Sequence, residues 1–280
     1  MNPLAGIIID YHLPEFANDS TQTILEIFNA DGVLVRSFMS EKPKGFKSWP
    51  GGPAMPVVLP AKKGLNRFNW DLKREHLPGI EGVFVFGSPF GTTVSPGKYS
   101  LKLTCGDLVS ETSIEILADP RLEVTEADYK AQEDLLVEMD EAIRSIHKSV
   151  NSGRLVQEQL HAVIKTLELQ QGQEDLVSEA KDMLKTFETW ELQLIQPKQK
   201  TFQDVINFEN KLSAEFVNLQ MKADAADPRQ PEALLARFAA LKAEWNTYKK
   251  ELDTMIEEDL ADFNSKYQAA KLPVLVFPQD

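Results

Sequence analysis

The sequence has a single cysteine, Cys105, among its 280 residues. One thiol cannot form a disulfide within the chain, and it excludes the cysteine clusters that hold structural zinc. The four histidines are scattered and none belongs to an HExxH pair, so the sequence predicts no metal site. A chain without disulfides suits the cytoplasm, but it also suits a region of an exported protein that needs none, so composition leaves the compartment open.

Positive charge and long apolar runs are scarce as well. Lys and Arg number 30 against 43 Asp and Glu, which gives a formal net charge of −13 at pH 7. This balance argues against a nucleic-acid partner, because phosphate backbones are bound by clustered cations. No apolar run approaches the roughly 20 residues that cross a bilayer, so the sequence predicts no membrane insertion.

Catalytic motifs are also missing. There is no GxSxG elbow, no GxxxxGK[ST] phosphate loop and no GxGxxG after a strand, so the sequence predicts no catalytic residue and no cofactor. Glycosidases use two carboxylates about 5–10 Å apart across a cleft. Because the chain has 43 acidic residues, such pairs arise easily by chance, and their presence in the sequence is not a signal.

Residues 1 to about 118 alternate with a period of two, which is typical of half-buried strands. The alternating runs are "GIIIDYHL", "TILEIF", "VLVRSF", "KYSLKLTC" and "SIEIL". The "NADG" between the second and third runs predicts a β-hairpin with Gly32 in a left-handed conformation. Several short alternating runs separated by turns predict an antiparallel β-sandwich of the immunoglobulin or fibronectin III kind over residues 1–118.

The stretch "GLNRFNWDLKRE" fits the same scheme. Phe68, Trp70 and Leu72 occupy every second position, and the positions between them are polar. This alternation predicts a strand with the three large side chains in the core. Asp71, which follows Trp70, is expected to face solvent or to bond within a turn.

The period becomes helical after Asp119-Pro120, and Thr125 with Asp128 predicts a capping box at the first helix. Apolar stripes predict an elongated antiparallel bundle of four or five helices over residues 119–280. The expected limits are a first helix ending at "NSG" (151–153), a second ending at Gly172, a third stopped by Pro197, a fourth over 203–225 and a last over about 231–271. In the last helix the stripe shifts phase at Ile256.

Several motifs, taken in order, resemble one bacterial family. They are "GIIIDYHL", "TILEIFNADGVLVRSF", "GLNRFNWDL", "SPGKYSLKLTCGD" and "ADPR", followed by a long helical region. They resemble the C-terminal part of large bacterial proteins that carry a sortilin-type, BNR-repeat β-propeller in front and are often labelled glycosyl hydrolase-like. The β part also resembles the immunoglobulin-like domain of the flagellar hook-capping protein. The segment 77–94 departs from the shared pattern.

The resemblance implies a function through its parent protein. It implies a non-catalytic structural or interaction module, the C-terminal accessory region of a larger exported protein, with the N-terminal β-propeller as partner. The location implied is extracellular or periplasmic, or cytoplasmic if this chain is the full-length protein. No propeller lies within this sequence, so an activity that resides in a propeller does not carry over to it.

Five aromatic residues outside the alternating pattern are the candidate binding residues. Phe46 and Trp49 lie in a Gly/Pro-rich loop, and Phe84, Phe86 and Phe90 lie in a segment between strands. Loops that display aromatic rings on a rigid scaffold often bind a protein or a glycan. The alternatives are that these loops cap the sandwich or pack on the bundle, or that a glycoside hydrolase site lies at the junction of sandwich and bundle.

Overall fold

The computed structural model describes residues 5–15, 21–53, 55–87 and 90–272. Six antiparallel strands come first: β1 (Ile7–Leu13), β2 (Thr23–Phe28), β3 (Leu34–Met39), β4 (Gly64–Trp70), β5 (Gly97–Cys105) and β6 (Leu108–Ile116). The helices follow: α1 (Glu126–Leu167), α2 (Glu174–Leu194), α3 (Leu212–Ala223), α4 (Glu232–Thr254) and α5 (Leu260–Ala269). The α+β content and its order along the chain agree with the sequence prediction.

The strands form two antiparallel sheets. One pairs β1 with β4, and the other has the order β3-β2-β5-β6. Both sheets contribute to one hydrophobic cluster, in which Phe38 meets Phe68 edge to face at 4.6 Å between ring centroids and Trp70 meets Tyr99 at 5.9 Å. Alternation therefore selects the buried side chains as expected, and the predicted hairpin has Gly32 at φ 75°.

The strand predicted from "GLNRFNWDL" ends two residues early. Phe68 and Trp70 are buried, but β4 stops at Trp70 and Leu72 adopts a φ of 62°, which is unusual for a residue with a side chain. The carboxylate of Asp71 accepts a hydrogen bond from the Lys73 amide at 3.1 Å, and this short turn removes Leu72 from the sheet. Leu72 still packs against the sheet cluster, partly buried.

The first helix is longer than predicted, because "NSG" does not end it. α1 begins with the expected Thr125–Asp128 capping box and continues through residues 151–153 to Leu167. Asn151 bonds to the carbonyl of Gly79 at 3.1 Å, and Gly153 is buried against the rings of Trp190 and Phe187. Tertiary contacts thus offset the poor helix propensity of these residues. A glycine inside a helix costs about 1 kcal/mol relative to an alanine.

Two further helix predictions need correction. The helix expected over 203–225 is a short 3₁₀ turn at Phe202–Ile206 followed, after a break, by α3. The last predicted helix is continuous but not α-helical throughout. A π-helical turn at Met255–Asp259 joins α4 to α5, and the extra residue in that turn shifts the apolar stripe. The phase shift was predicted, but Met255 is the buried residue and Ile256 is 45% exposed.

Side-chain pairs give the direction of each helix. Between α1 and α2, Arg154 pairs with Glu191 and Glu168 pairs with Lys181, so the two helices are antiparallel. The α3 helix runs antiparallel to α1 in the same way, since His147 contacts Ser213, Asp140 contacts Gln220 and Gln132 contacts Ala223. At about 1.5 Å per residue, the 42 residues of α1 extend roughly 60 Å.

Candidate functional site

The chain between β4 and β5 leaves the sheets and lies along α1, and we call residues 75–83 of it the strap. Side chains on one face of α1, at spacings of three and four residues, bond to successive strap carbonyls. Arg144 donates to Glu75 and His76 at 2.8 and 3.0 Å, His147 bonds to Pro78 at 2.5 Å, Asn151 donates to Gly79 at 3.1 Å and Arg154 donates to Glu81 at 2.6 Å.

His147 shows how firmly the strap is held. Since a carbonyl can only accept, the contact with Pro78 requires that Nδ1 of His147 carry the proton, and Nε2 then accepts from the Ser213 hydroxyl at 2.7 Å. The ring is 4% exposed, and this burial lowers the pKa of His147 to about 4. A neutral histidine therefore links the strap, α1 and α3 at neutral pH.

The strap also supplies apolar side chains to the helical core. Leu77, Ile80 and Val83 are 1–3% exposed and belong to the same buried cluster as the interior residues of α1, α2 and α3. The carbonyls that bond to α1 belong to the residues before and between these three, and a turn at residues 81–82, closed by the Val83 amide donating to the Ile80 carbonyl at 3.0 Å, returns Val83 to the core. Part of the core of the helical region thus comes from the segment between two strands.

Ion pairs add to the junction immediately before the strap. Lys73 pairs with Asp224 at 2.8 Å, and the other oxygen of Asp224 accepts from the Thr93 amide at 3.1 Å. Arg74 pairs with Glu133 on α1, and both side chains are at most 20% exposed. Charge-assisted hydrogen bonds that are partly shielded from water are among the stronger polar contacts in proteins.

Trp49 is fixed against the outer side of the strap. Its indole Nε1 donates to the Val83 carbonyl at 2.8 Å. An added Cβ at Gly52 would lie 2.4 Å from the indole ring, and one at Gly79 would lie 2.6 Å from it, so only glycine leaves room for this ring at both positions. The ring is consequently held in one orientation rather than free to turn.

A groove lies beside Trp49, between the loop 45–53 and α1. Its volume is about 870 Å³, and we call it the junction groove. The residues that line it are Gly45, Phe46, Lys47, Trp49, Pro53, Gly79, Glu81, Asn151, Arg154, Leu155 and Glu158. Two of the five predicted aromatic residues, Phe46 and Trp49, therefore face one cavity, together with charged side chains of both signs.

The other three predicted aromatics lie elsewhere. The ring of Phe84 packs against Gly51, behind the groove, and Phe86 is half-buried next to it along the chain. Phe90 is 46% exposed, contacts the ring of His76 edge to face, and lines a separate cavity of about 370 Å³ against α3. One alternative was that the segment containing these three residues packs on the helices. That alternative describes the start of the segment, since Val83 is in the helical core.

The helix residues of the groove were missed in the sequence. The sequence pattern assigns Asn151 to a helix end and does not single out Arg154. Their signal was positional: both lie one residue beyond the apolar stripe of α1, next to Val150 and Gly153, and polar residues at that border can reach a neighbouring backbone. Without knowing that the strap lies there, the sequence does not separate them from other surface residues.

Two carboxylates near the groove, Glu81 and Glu191, are bound by cations. Glu81 pairs with Lys47 at 2.5 Å, and Glu191 behind the groove accepts from Arg154 at 2.7 Å and from Gln157 at 2.9 Å. Each of these carboxylates is thus held by a cation, whereas the acid of a glycosidase must hold a proton near neutral pH.

A carboxyl group with a raised pKa lies away from the groove. Burial raises the pKa of Asp140 to about 6, against a smaller lowering by Arg144, and Gln220 on α3 donates to it at 2.5 Å. It is 8% exposed inside the interface of α1 and α3. Raised carboxyl pKa values mark catalytic groups only where a substrate can reach them, so Asp140 is better explained as a structural residue.

Within residues 5–15, 21–53, 55–87 and 90–272, no three His, Cys, Asp or Glu side chains are placed to hold a metal ion. No helix in those ranges is long and apolar enough to cross a membrane. Compared with protein-family models and with curated proteins, the sequence matches none.

Proposed function

We propose that this chain is a non-catalytic structural and interaction module, the C-terminal accessory region of a larger exported protein that begins with a β-propeller. The proposal rests first on the ordered motifs that resemble such proteins. In this proposal the two sheets form an immunoglobulin-like sandwich, which the edge-to-face contacts between Phe38 and Phe68 and between Trp70 and Tyr99 support. The parent protein is extracellular or periplasmic, and its propeller is the partner.

The observation that carries the module role is the attachment of the strap to α1. Four side chains on one face of α1 bind five carbonyls of the strap, and the strap buries three apolar residues among the helices. Because the strap joins β4 to β5 and is anchored in the helical core, it ties the sheets to the helices more firmly than a small polar interface between domains, which allows relative motion. Rigidity of this kind suits a spacer or docking platform.

A glycoside hydrolase at the junction is the competing function, and a turnover assay separates the two. The purified chain is incubated with cellulose, xylan, starch, mannan and chitin, and released reducing ends are measured. We expect release no greater than in buffer, because Glu81 at the groove is paired with Lys47 and Glu191 behind it with Arg154. Release that disappears in Glu81→Gln or Glu158→Gln but persists in the surface control Glu188→Gln would establish the hydrolase instead.

The accessory role has its own test. The genomic reading frame upstream of the codon for Met1 should continue into β-propeller repeats. When that upstream part is produced separately, it should bind this chain in size-exclusion chromatography at micromolar concentration. An in-frame stop codon directly upstream of Met1 would contradict the accessory role.

A further inference from the structure

We propose that the junction groove binds a neutral polysaccharide chain, a ligand class that deepens the proposed non-catalytic interaction role and rests on it. The groove volume of about 870 Å³ lies within the range of roughly 300–1,000 Å³ that is common for ligand sites. The groove is open to solvent and is lined by α1 from Asn151 to Glu158, whereas an enclosed pocket would select a small molecule.

The first argument is charge. The lining contains two cations, Lys47 and Arg154, and two anions, Glu81 and Glu158, so its formal charge is balanced. The whole chain has a net charge of −13, and the groove is therefore a neutral region on an acidic protein. A charged ligand finds no excess of the opposite sign here, so the lining favours an uncharged one.

The second argument is the mixture of hydrogen-bonding groups around aromatic rings. The charged side chains and the amide of Asn151 offer both donors and acceptors, and a sugar hydroxyl can donate and accept at once. The rings of Phe46 and Trp49 offer apolar surface to the C–H face of a sugar ring. Because Trp49 is already fixed by Gly52, Gly79 and the Val83 carbonyl, little conformational entropy is lost on binding.

A peptide fits this groove less well. Peptides commonly add as a strand to a free sheet edge or insert an apolar helix face into an apolar groove. The lining comes from the loop 45–53, the strap and α1, so it presents no strand edge. Its four charged side chains interrupt the continuous apolar floor that an amphipathic helix needs.

The test is a fluorescence titration of the intact chain. Of its four tryptophans, Trp70, Trp190 and Trp245 are at most 4% exposed, so a change on ligand addition reports mainly on Trp49. The probes are hexasaccharides of β-1,4-glucose, β-1,4-xylose, β-1,4-mannose, β-1,4-N-acetylglucosamine and α-1,4-glucose. We expect a saturable change with at least one of them, with a Kd below about 1 mM.

Phe46→Ala is the informative variant, because it keeps Trp49 as the reporter. It should weaken binding by about tenfold or more, with a melting temperature close to that of the unmodified chain. The matched control is Phe202→Ala, which removes a 66% exposed ring on the loop between α2 and α3 and should leave the Kd unchanged. Trp49 itself is a poor target, since removing it also breaks the bond to the strap.

The outcomes separate this proposal from the one it rests on. The absence of any saturable change at about 1 mM probe overturns the polysaccharide site, as does unchanged affinity in Phe46→Ala. Saturation with a deca-proline peptide but with no hexasaccharide overturns it in favour of peptide binding. Release of reducing ends from a bound hexasaccharide would leave the site standing and contradict the non-catalytic role instead.

Discussion

The sheets and the helices differ in where their buried residues come from. Among the described residues, the sheet cluster draws every buried member from the chain between Tyr11 and Cys105, so it takes none from the helices. The helical cluster contains Leu77, Ile80 and Val83, which precede β5 in the sequence. The sheet region is therefore complete in itself, whereas the helical region depends on a segment of its neighbour, and a division of the chain near residue 118 does not follow the cores.

The largest expected effect comes from matched substitutions in the two clusters. Ile27→Ala in β2 and Ile80→Ala in the strap each remove the same atoms from a site that is at most 1% exposed. Each should lower the free energy of unfolding by about 3–4 kcal/mol through lost burial and a cavity. Chemical denaturation measures the two losses, and hydrogen exchange locates them.

The elements in which amide hydrogen exchange becomes faster test the difference between the sheet cluster and the helical cluster. Ile80→Ala should speed amide exchange in α1 and α3, although Ile80 lies between two strands in the sequence, and Ile27→Ala should speed it in β2 and β5. Faster exchange in the sheets alone after Ile80→Ala would show that the helices do not depend on the strap.

The next prediction, of intermediate size, concerns how the free energy of unfolding depends on pH through Asp140, in the helical region. Because the pKa of Asp140 is raised from 3.8 to about 6, the folded protein binds this proton more tightly, and the stability that it contributes is lost as pH rises through 6. Asp140→Asn keeps an acceptor for Gln220 without the buried charge. It should increase the free energy of unfolding at pH 8 by at most about 3 kcal/mol.

Measurement at two pH values isolates this group. The gain from Asp140→Asn should shrink as pH falls below 6 and approach zero below about pH 3, where Asp140 is protonated in both the folded and the unfolded state. His147 titrates with the opposite sign, because its lowered pKa makes the unfolded state bind more protons between pH 6.5 and about 4. It is present in both proteins and cancels in the difference. An equal gain at both pH values would mean that the charge of Asp140 is not the cause.

The smallest effect concerns one bond of the strap. Asn151→Ala removes the donor to Gly79 and should lower the free energy of unfolding by about 1 kcal/mol, partly offset by the better helix propensity of alanine. Ser152→Ala, at the exposed neighbouring position, should be neutral or slightly stabilising. Thermal denaturation compares the two. Equal melting temperatures would assign the strap's attachment to its apolar residues alone.

Most of the secondary structure could be predicted because local rules and packing agree. Strict alternation in "KYSLKLTC" gives a strand with Tyr99, Leu101 and Cys105 buried, and the Thr125–Asp128 box starts α1. Predictions failed where a distant partner outweighed a local preference, or where a turn within a predicted strand was missed. Gly153 lies within a helix because Trp190 packs on it, and Leu72 leaves its strand because Asp71 bonds to Lys73.

The candidate site was less predictable than the fold. The aromatic loops suggested a binding surface, and Phe46 and Trp49 do line one groove. Its other wall belongs to a helix about 100 residues further along the chain, and no sequence pattern connects the two. The strap could not be predicted either. The three-residue spacing of Leu77, Ile80 and Val83 matches neither the period of a strand nor that of a helix.

The continuity of α1 through residues 151–153 has a mechanical consequence. A break there would have placed a hinge in the middle of the helix, but an unbroken helix of 42 residues is a stiff rod of about 60 Å. Its first turn lies beside the start of β5, where the Ser95 hydroxyl donates to the Tyr129 carbonyl at 3.4 Å, and its other end lies next to α2. A load applied at the turn between α1 and α2 is therefore transmitted to the sheets without bending.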